Sequence, residues 1–258
     1  MRIFVCVKPV PDTAAKIKVG ADGKHIDASV KFVLGPYDSR CVSRATALRD
    51  AAGGDAEVVV VSAGAGKGES DAKKRIKDAL ALGCNRGINI PDDGAENRDP
   101  LAVAKGLAAA IKGEGGHDLI FCGRQAVDDQ AMSVGPMLAT LLGVPCVTDA
   151  VSIELGEGKA TVVRAAEGRQ ETLEVTLPAV ITGQRDIGDE KYPKLKDILK
   201  AKKKKVATFE HSWDAPKYEV TALNPPPEPA AGKIVGEGPD AVPELLKLLQ
   251  DEAKALTL

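Results

Sequence analysis

Glu57-Val58-Val59-Val60-Val61 is the stretch that most narrows what this chain can become. Consecutive valines leave no polar side for water, so a strand built from them must be covered on both faces. Branching at Cβ also favours the extended chain over the helix. A strand of this kind belongs in a parallel sheet with helices above and below. Ile3-Phe4-Val5-Cys6-Val7 and Asp118-Leu119-Ile120-Phe121-Cys122 read the same way, and Gly87-Ile88-Asn89-Ile90 is a shorter strand.

The segments between these runs have helical patterns. Gly35-Pro36-Tyr37-Asp38-Ser39 leads into a helix to about Asp50, with Cys41, Ala45 and Leu48 buried and the arginines outside. A second helix turns Ala72, Ile76, Ala79 and Leu80 inward and Lys73, Lys74 and Lys77 outward, and Gly83 closes it. A third starts with Asp99 as cap and Pro100 in the first turn, repeats Val103, Leu107 and Ile111, and stops at Gly113-Glu114-Gly115-Gly116. Residues 1–142 therefore alternate strand and helix. This predicts an α/β fold with a parallel, doubly wound sheet. A length of 258 residues suffices for one large domain with an appendage.

Two breaks interrupt the rhythm. After the first strand, Pro9 and Pro11 in Lys8-Pro9-Val10-Pro11-Asp12 are expected to stop both strand and helix, and residues 16–32 read as a small hairpin turning at Asp22-Gly23. After Val144-Pro145-Cys146-Val147, short strands follow with no helix between them: Val151–Glu154, Ala160–Ala165, Glu171–Thr176 and Ala179–Thr182. These predict an antiparallel meander extending the sheet. From Trp213 the chain becomes a proline-rich arm through Asn224-Pro225-Pro226-Pro227-Glu228-Pro229, ending in an amphipathic helix, Ala241–Ala255, with Val242, Leu245, Leu246, Leu249 and Ala253 in its stripe. The expected division is a domain over 1–212 and an arm over 213–258. Such an arm suits docking on another surface; folding back on its own domain is the other arrangement.

Composition excludes several functions. Basic and acidic residues nearly balance, 35 against 37, and aromatics make up 3%, so neither a charged field nor a base-stacking surface for nucleic acid is expected. The five cysteines are odd in number and form no C-x-x-C, and the three histidines are scattered. This argues against a disulfide framework or a metal cluster and favours buried thiols in a reducing compartment. No apolar run reaches membrane-spanning length, and the first is too short for a signal-peptide core. The expectation is a soluble, cytoplasmic protein.

The candidate ligand site is Phe121–Leu142: a strand ending in Gly123, a polar loop with Asp128 and Asp129, then an apolar-faced helix. A strand end, a tight loop and a helix start make an anion or nucleotide pocket in an open α/β sheet. The two aspartates read either as helix caps or as a ribose-hydroxyl acceptor beside free N–H groups at 131–134. A second glycine-rich loop, Ser62-Ala63-Gly64-Ala65-Gly66-Lys67-Gly68, also lies between strand and helix, but it matches neither phosphate-binding fingerprint. It reads as a nucleotide contact or a plain turn. Lys200 and Lys202–Lys205 follow an apolar face of Leu195, Ile198 and Leu199, which suits either a solvated helix end or a docking device. No hydrolase triad or paired acid/base is present, so no constellation performs chemistry alone.

Several of these segments together resemble the β-subunit of electron-transfer flavoprotein over nearly the whole chain. The likeness rests on Val5-Cys6-Val7-Lys8-Pro9-Val10-Pro11-Asp12, Ala79–Gly83 and Cys122-Gly123-Arg124-Gln125-Ala126-Val127-Asp128. It is sharpest at Val162–Leu173 running on to Leu177–Thr182, where Arg169 stands in place of the family's Gly, Asp or Glu. The resemblance implies an adenine-nucleotide α-hydrolase-like sheet and half of an α/β heterodimer. Such a heterodimer shuttles electrons from flavin dehydrogenases, such as the acyl-CoA dehydrogenases of fatty acid oxidation, toward a membrane quinone reductase. FAD would lie mainly in the α-subunit, with AMP, or in bifurcating members a second FAD oxidising NADH, in the β-subunit. It further implies that the β-subunit is an electron carrier rather than an enzyme, with no catalytic residues of its own.

By position, the implied nucleotide contacts are Cys6, Gly35, Pro36, Tyr37, Asp38, Ala63, Gly123, Arg124, Gln125, Ala126, Val127, Asp128, Asp129, Gln130, Ala131, Met132, Ser133 and Val134. AMP-type members carry Asn-Gln-Thr where this chain has Met132-Ser133-Val134. Bifurcating members carry Asp-Gly-Asp-Thr-Ala-Gln-Val-Gly where it has Asp128–Gly135. Val10-Pro11-Asp12-Thr13 and Pro36-Tyr37-Asp38 lean toward the bifurcating branch. The loop 183–205, with Leu195 as anchor and Ile198 and Leu199 beside it, resembles the segment that docks on dehydrogenases. The C-terminal arm resembles the one that wraps the α-subunit. A nucleotide-binding module of the same fold with no redox role is the remaining reading.

Overall fold

The computed structural model describes residues 1–53, 55–64, 71–95, 98–228 and 231–256. It forms two compact units, Met1–Leu223 and Asn224–Leu258. In the first, β1 (Arg2–Cys6), β2 (Pro9–Pro11) and β3 (Phe32–Leu34) precede α1 (Pro36–Ala51), β4 (Glu57–Gly64), α2 (Ala72–Ala81) and β5 (Arg86–Pro91). Next come α3 (Pro100–Gly113), β6 (Leu119–Gly123), α4 (Val134–Leu142), β7 (Cys146–Leu155), β8 (Lys159–Ala166), β9 (Arg169–Thr176) and β10 (Ala179–Gly183). The unit's last elements are α5 (Leu195–Ala201) and β11 (Val206–Thr208).

The valine run forms the middle of β4, and Val58–Val61 are wholly buried. The main sheet has the order β11-β5-β4-β1-β6-β10-β7-β8-β9, parallel from β11 to β7 and antiparallel from β7 to β9. Alternate residues sort to the two faces. Ile3, Val5, Val58 and Val60 pack with Val42 and Ala45 of α1 and Ile76 and Leu80 of α2. Phe4, Val59 and Val61 pack with Leu107 and Ile111 of α3 and Leu138 of α4. The sheet is doubly wound, as the strand–helix alternation requires.

Three expectations need correction. Pro9 and Pro11 do not end strand structure: β2 pairs with β3 in a separate antiparallel ribbon, Val10 opposite Val33. Gly35 N–H donates to Lys8 O and Asp12 N–H to Lys31 O, so the bonding positions are the non-proline ones. The prolines two apart turn their missing donors to the open edge. The small hairpin turning at Asp22-Gly23 is present: Val19 bridges Ile26, Gly20 N–H donates to His25 O and Asp27 N–H to Lys18 O. The arginines of α1 are not outside: Arg40 donates to Gly188 O, Arg49 to Gly83 O, and Arg44 to Ile153 O, stitching the helix to later segments. Finally, Ala179–Gly183 is not the last strand of a meander. β10 is buried throughout and inserts between β6 and β7, parallel to both, because a run apolar on both faces belongs at the centre of a sheet. Only β7, β8 and β9 form the antiparallel extension.

Trp213 lies within the first unit, so the boundary falls later than residue 213. Its indole N–H donates to Pro91 O at 2.8 Å, its ring lies 5.3 Å from the Arg98 guanidinium, and Tyr218 donates to Arg98 O. In the second unit, α6 (Val242–Asp251) follows a 3₁₀ turn and is shorter than the stripe predicts; Val242, Leu245 and Leu246 are exposed on it.

Candidate nucleotide site

The chain leaves β1 through α1 to β4 on one side, and β6 later returns to β1's other side. The carboxyl ends of β1 and β6 are therefore where successive connections diverge. In an open α/β sheet the loops at such a point part and make room for a ligand, so this edge is the expected ligand crevice.

Asp38, in the first turn of α1, bridges this divergence. Its Oδ2 accepts Lys8 N–H at 2.9 Å and its Oδ1 accepts Gly123 N–H at 3.1 Å. The carboxyl is buried, and desolvation pushes its pKa from 3.8 up to about 7 against the pull of those two bonds. A side chain at Gly123 would overlap the Asp38 carboxylate, and one at Gly35 would press on it from the other side. Both glycines are thus needed for close approach rather than for turn geometry.

Lys8 reaches from the end of β1 to the loop after β6. Its Nζ contacts Asp128 Oδ1 at 2.9 Å and Asp129 Oδ2 at 2.8 Å. Burial works against its charge, but the two carboxylates outweigh it and hold the ammonium above the usual lysine range. This corrects the capping alternative for the aspartates: α4 begins at Val134, and Ser133 occupies its N-cap without a side-chain bond. Asp129 instead organises its own loop, accepting Ala131 N–H at 3.0 Å.

That bond also means the N–H at 131 is taken, so the donors available to an anion begin beyond it. Gln130 and Met132 both have positive φ, 51° and 52°, an uncommon conformation for residues with a Cβ. The loop thus enters α4 sharply, and the N–H groups of Ser133, Val134 and Gly135 have no acceptor in the preceding turn. Met132 is half exposed and brings no polar side-chain atom.

The structure brings most of the expected contacts to this edge. Gly35, Pro36, Tyr37 and Asp38 form the start of α1 beside Gly123. Ala63 lies at the end of β4, and Gln125–Val134 form the loop and the first residue of α4. Arg124 turns away: its N–H continues the ladder to Gly183 O, and its Nε lies 2.7 Å from Asp149 Oδ1. Cys6 packs against Cys122 in the core layer of α3 and α4. The Cys6 bond and burial hold the Cys122 thiol well above its usual range, and burial does the same for Cys41, so these are packing groups rather than nucleophiles. Gly66 and Gly68 of the other glycine-rich loop lie outside the described residues.

Lys8 and Thr182 were not singled out from sequence. Thr182 Oγ1 accepts Asp149 N–H, and its methyl fills the space that a side chain at Gly135 would need. The signal for Lys8 was its place after the first buried strand; its carboxylate partners are 120 and 121 residues away. Leu195, Ile198 and Leu199 are 73%, 40% and 53% exposed on α5, while Ala201 anchors that helix in the core. Among the described residues no group of three metal-ligating side chains occurs, and no helix is long and apolar enough to cross a membrane.

A doubly wound sheet whose loops meet at a switch point between β1 and β6 defines an open-sheet α/β protein of the kind that holds ligands at its strand ends. Residues 23–213 match the family model described as electron transfer flavoprotein domain, and the chain belongs to the electron transfer flavoprotein family. Several of its curated relatives are named as beta subunits. It is 39% identical over 240 residues to the electron transfer flavoprotein subunit beta of Syntrophomonas wolfei, covering 93% of this chain and 92% of that one. It is 34% identical to the subunit beta of Bacillus subtilis, over 99% and 100% of the two chains. With the subunit beta of Mus musculus it shares 36% identity over 95% and 96%.

Proposed function

We propose that this chain is the β-subunit of a heterodimeric electron-transfer flavoprotein. It takes electrons from flavin dehydrogenases, such as acyl-CoA dehydrogenases, and delivers them toward a membrane quinone reductase. The observation that carries this reading is the switch point between β1 and β6, bridged by Asp38 and followed by a loop that leads into the first N–H groups of α4. In this reading AMP occupies the crevice. Its phosphate meets the N–H groups of Ser133, Val134 and Gly135 and the Ser133 hydroxyl, where the helix end favours an anion. Lys8 orders the loop through Asp128 and Asp129. Tyr37 and the start of α1, beside Gly123, would line the same nucleotide site, and the FAD would be held mainly by the α-subunit. The flavin supplies the electron-accepting chemistry; this chain positions it, excludes water and presents a docking surface.

A second FAD in the same crevice, with NADH oxidation and bifurcation, is the other reading. Val10-Pro11-Asp12-Thr13 and Pro36-Tyr37-Asp38 favour it. Extracting the bound nucleotides from the purified heterodimer and identifying them by mass separates the two: one FAD with one AMP, or two FAD. A complex without flavin would sink both and leave a nucleotide-binding module.

The exposed Leu195, Ile198 and Leu199 support docking of α5 on a dehydrogenase. The stripe of α6 supports docking of the C-terminal unit on the α-subunit. An apolar helix face left in water is costly unless a partner covers it.

A further inference from the structure

A cavity of about 270 Å³ lies away from the crevice, between α1, the carboxyl end of α2 and the segment 191–204. Arg49, Lys191, Lys200 and Lys204 line it, against two carboxylates, Asp50 and Asp197. Asp50 is already engaged, accepting Arg49 Nε at 2.9 Å and Nη2 at 2.7 Å. The three lysines have no carboxylate within ion-pair distance among the described residues. Lys204 donates to Leu80 O at 2.9 Å and Cys84 O at 2.6 Å. Lys191 reaches Thr46 Oγ1 at 3.2 Å and Ser43 O at 3.4 Å. Each of these ammonium groups carries three N–H donors, and carbonyl and hydroxyl partners leave a donor over on both. The side chain of Lys200 has no hydrogen bond among the described residues. Burial holds the Lys204 ammonium below the usual lysine range, and the nearby Arg49 charge adds to this.

Asp197, the remaining carboxylate of the lining, acts on Lys204 only from beyond ion-pair distance, so three ammonium groups face one unengaged carboxylate, and an anion among them lowers their mutual repulsion. We propose that this cavity binds a small multivalent oxyanion of the phosphate class, free or as a phosphate ester. The anion ties the 191–204 segment to the ends of α1 and α2. Because α5 lies within that segment, its binding sets how firmly the exposed Leu195, Ile198 and Leu199 are held. A helix carboxyl end alone would suit a single lysine; Lys204 already fills that role, and Lys191 and Lys200 are additional.

The test is lysine acetylation of the full chain in its native complex, read by mass spectrometry at each lysine. It is run with inorganic phosphate, with glycerol 1-phosphate, and with chloride at matched ionic strength. Phosphate or its ester is expected to slow acetylation of Lys191, Lys200 and Lys204 but not of the neighbouring Lys202 and Lys203. Protection by the ester alone assigns a phosphorylated metabolite; protection by both assigns the phosphate group itself. In a K191Q/K200Q variant, both positions being exposed, protecting Lys204 should need about tenfold more phosphate. Equal protection by chloride, equal protection of Lys202 and Lys203, or an unchanged phosphate requirement in the variant overturns the proposal.

Discussion

Asp38 Oδ2 accepts the backbone N–H of Lys8 at 2.9 Å, joining the first turn of α1 to the end of β1. Its other oxygen holds Gly123 at the end of β6. One buried carboxyl thus fixes both lips of the crevice, and the cost of charging it there gives the molecule a pH dependence.

The first prediction concerns that cost. The Asp38 pKa rises from 3.8 to about 7 on folding. Between these values the folded chain keeps the proton and the unfolded chain does not. Stability therefore falls as pH rises from about 4 to about 7 and is flat beyond, by roughly 4 kcal/mol in all. Asp38→Asn removes this slope, although it gives up one of the two acceptor positions. Denaturant unfolding of both proteins at pH 5 and pH 8 checks it; the same slope in each would exclude Asp38 as the source.

Lys8→Met leaves Asp128 and Asp129 side by side without their cation. The loop 128–133 should loosen and nucleotide retention should fall by about fivefold, the scale of partly exposed ion pairs. The measurements are the nucleotide-to-protein ratio after gel filtration and amide exchange at residues 130–134. Unchanged exchange there would show that Lys8 does not order the loop.

Gly106→Ala tests how Trp213 is seated. A Cβ at Gly106 would stand 2.6 Å from Trp213 Cη2 and 3.0 Å from Cζ3, so the indole must leave its notch on α3. The expected loss is about 1–3 kcal/mol. Trp213 is the chain's single tryptophan, so its emission should shift to longer wavelength as it meets water. An unshifted spectrum would mean that α3 yields instead.

Leu195→Ala removes an exposed side chain and should change stability by less than about 0.5 kcal/mol. Electron transfer from a partner dehydrogenase should slow at limiting partner concentration. An unchanged rate there would remove α5 from the docking surface.

The parallel sheet was legible because runs such as Val58–Val61 and Ile3–Val7 cannot be solvated on either face. Helix limits at Asp99-Pro100 and Gly83 were legible because capping chemistry is local. The connection Gly123–Val134 between β6 and α4 was legible as a stretch, since a strand, a glycine and a helix start sit together in sequence. Its working parts were not. Lys8 meets Asp128 and Asp129, and Asp38 meets Gly123, only because β1 and β6 are neighbours in the sheet, and strand order is not written in any local pattern. For the same reason β10 read as part of a meander until the sheet received it between β6 and β7. Burial and backbone preference act locally, so they mark most strands and helices from the residues alone. Tertiary structure alone decided which distant charges share a desolvated edge, because that depends on how the segments pack against one another.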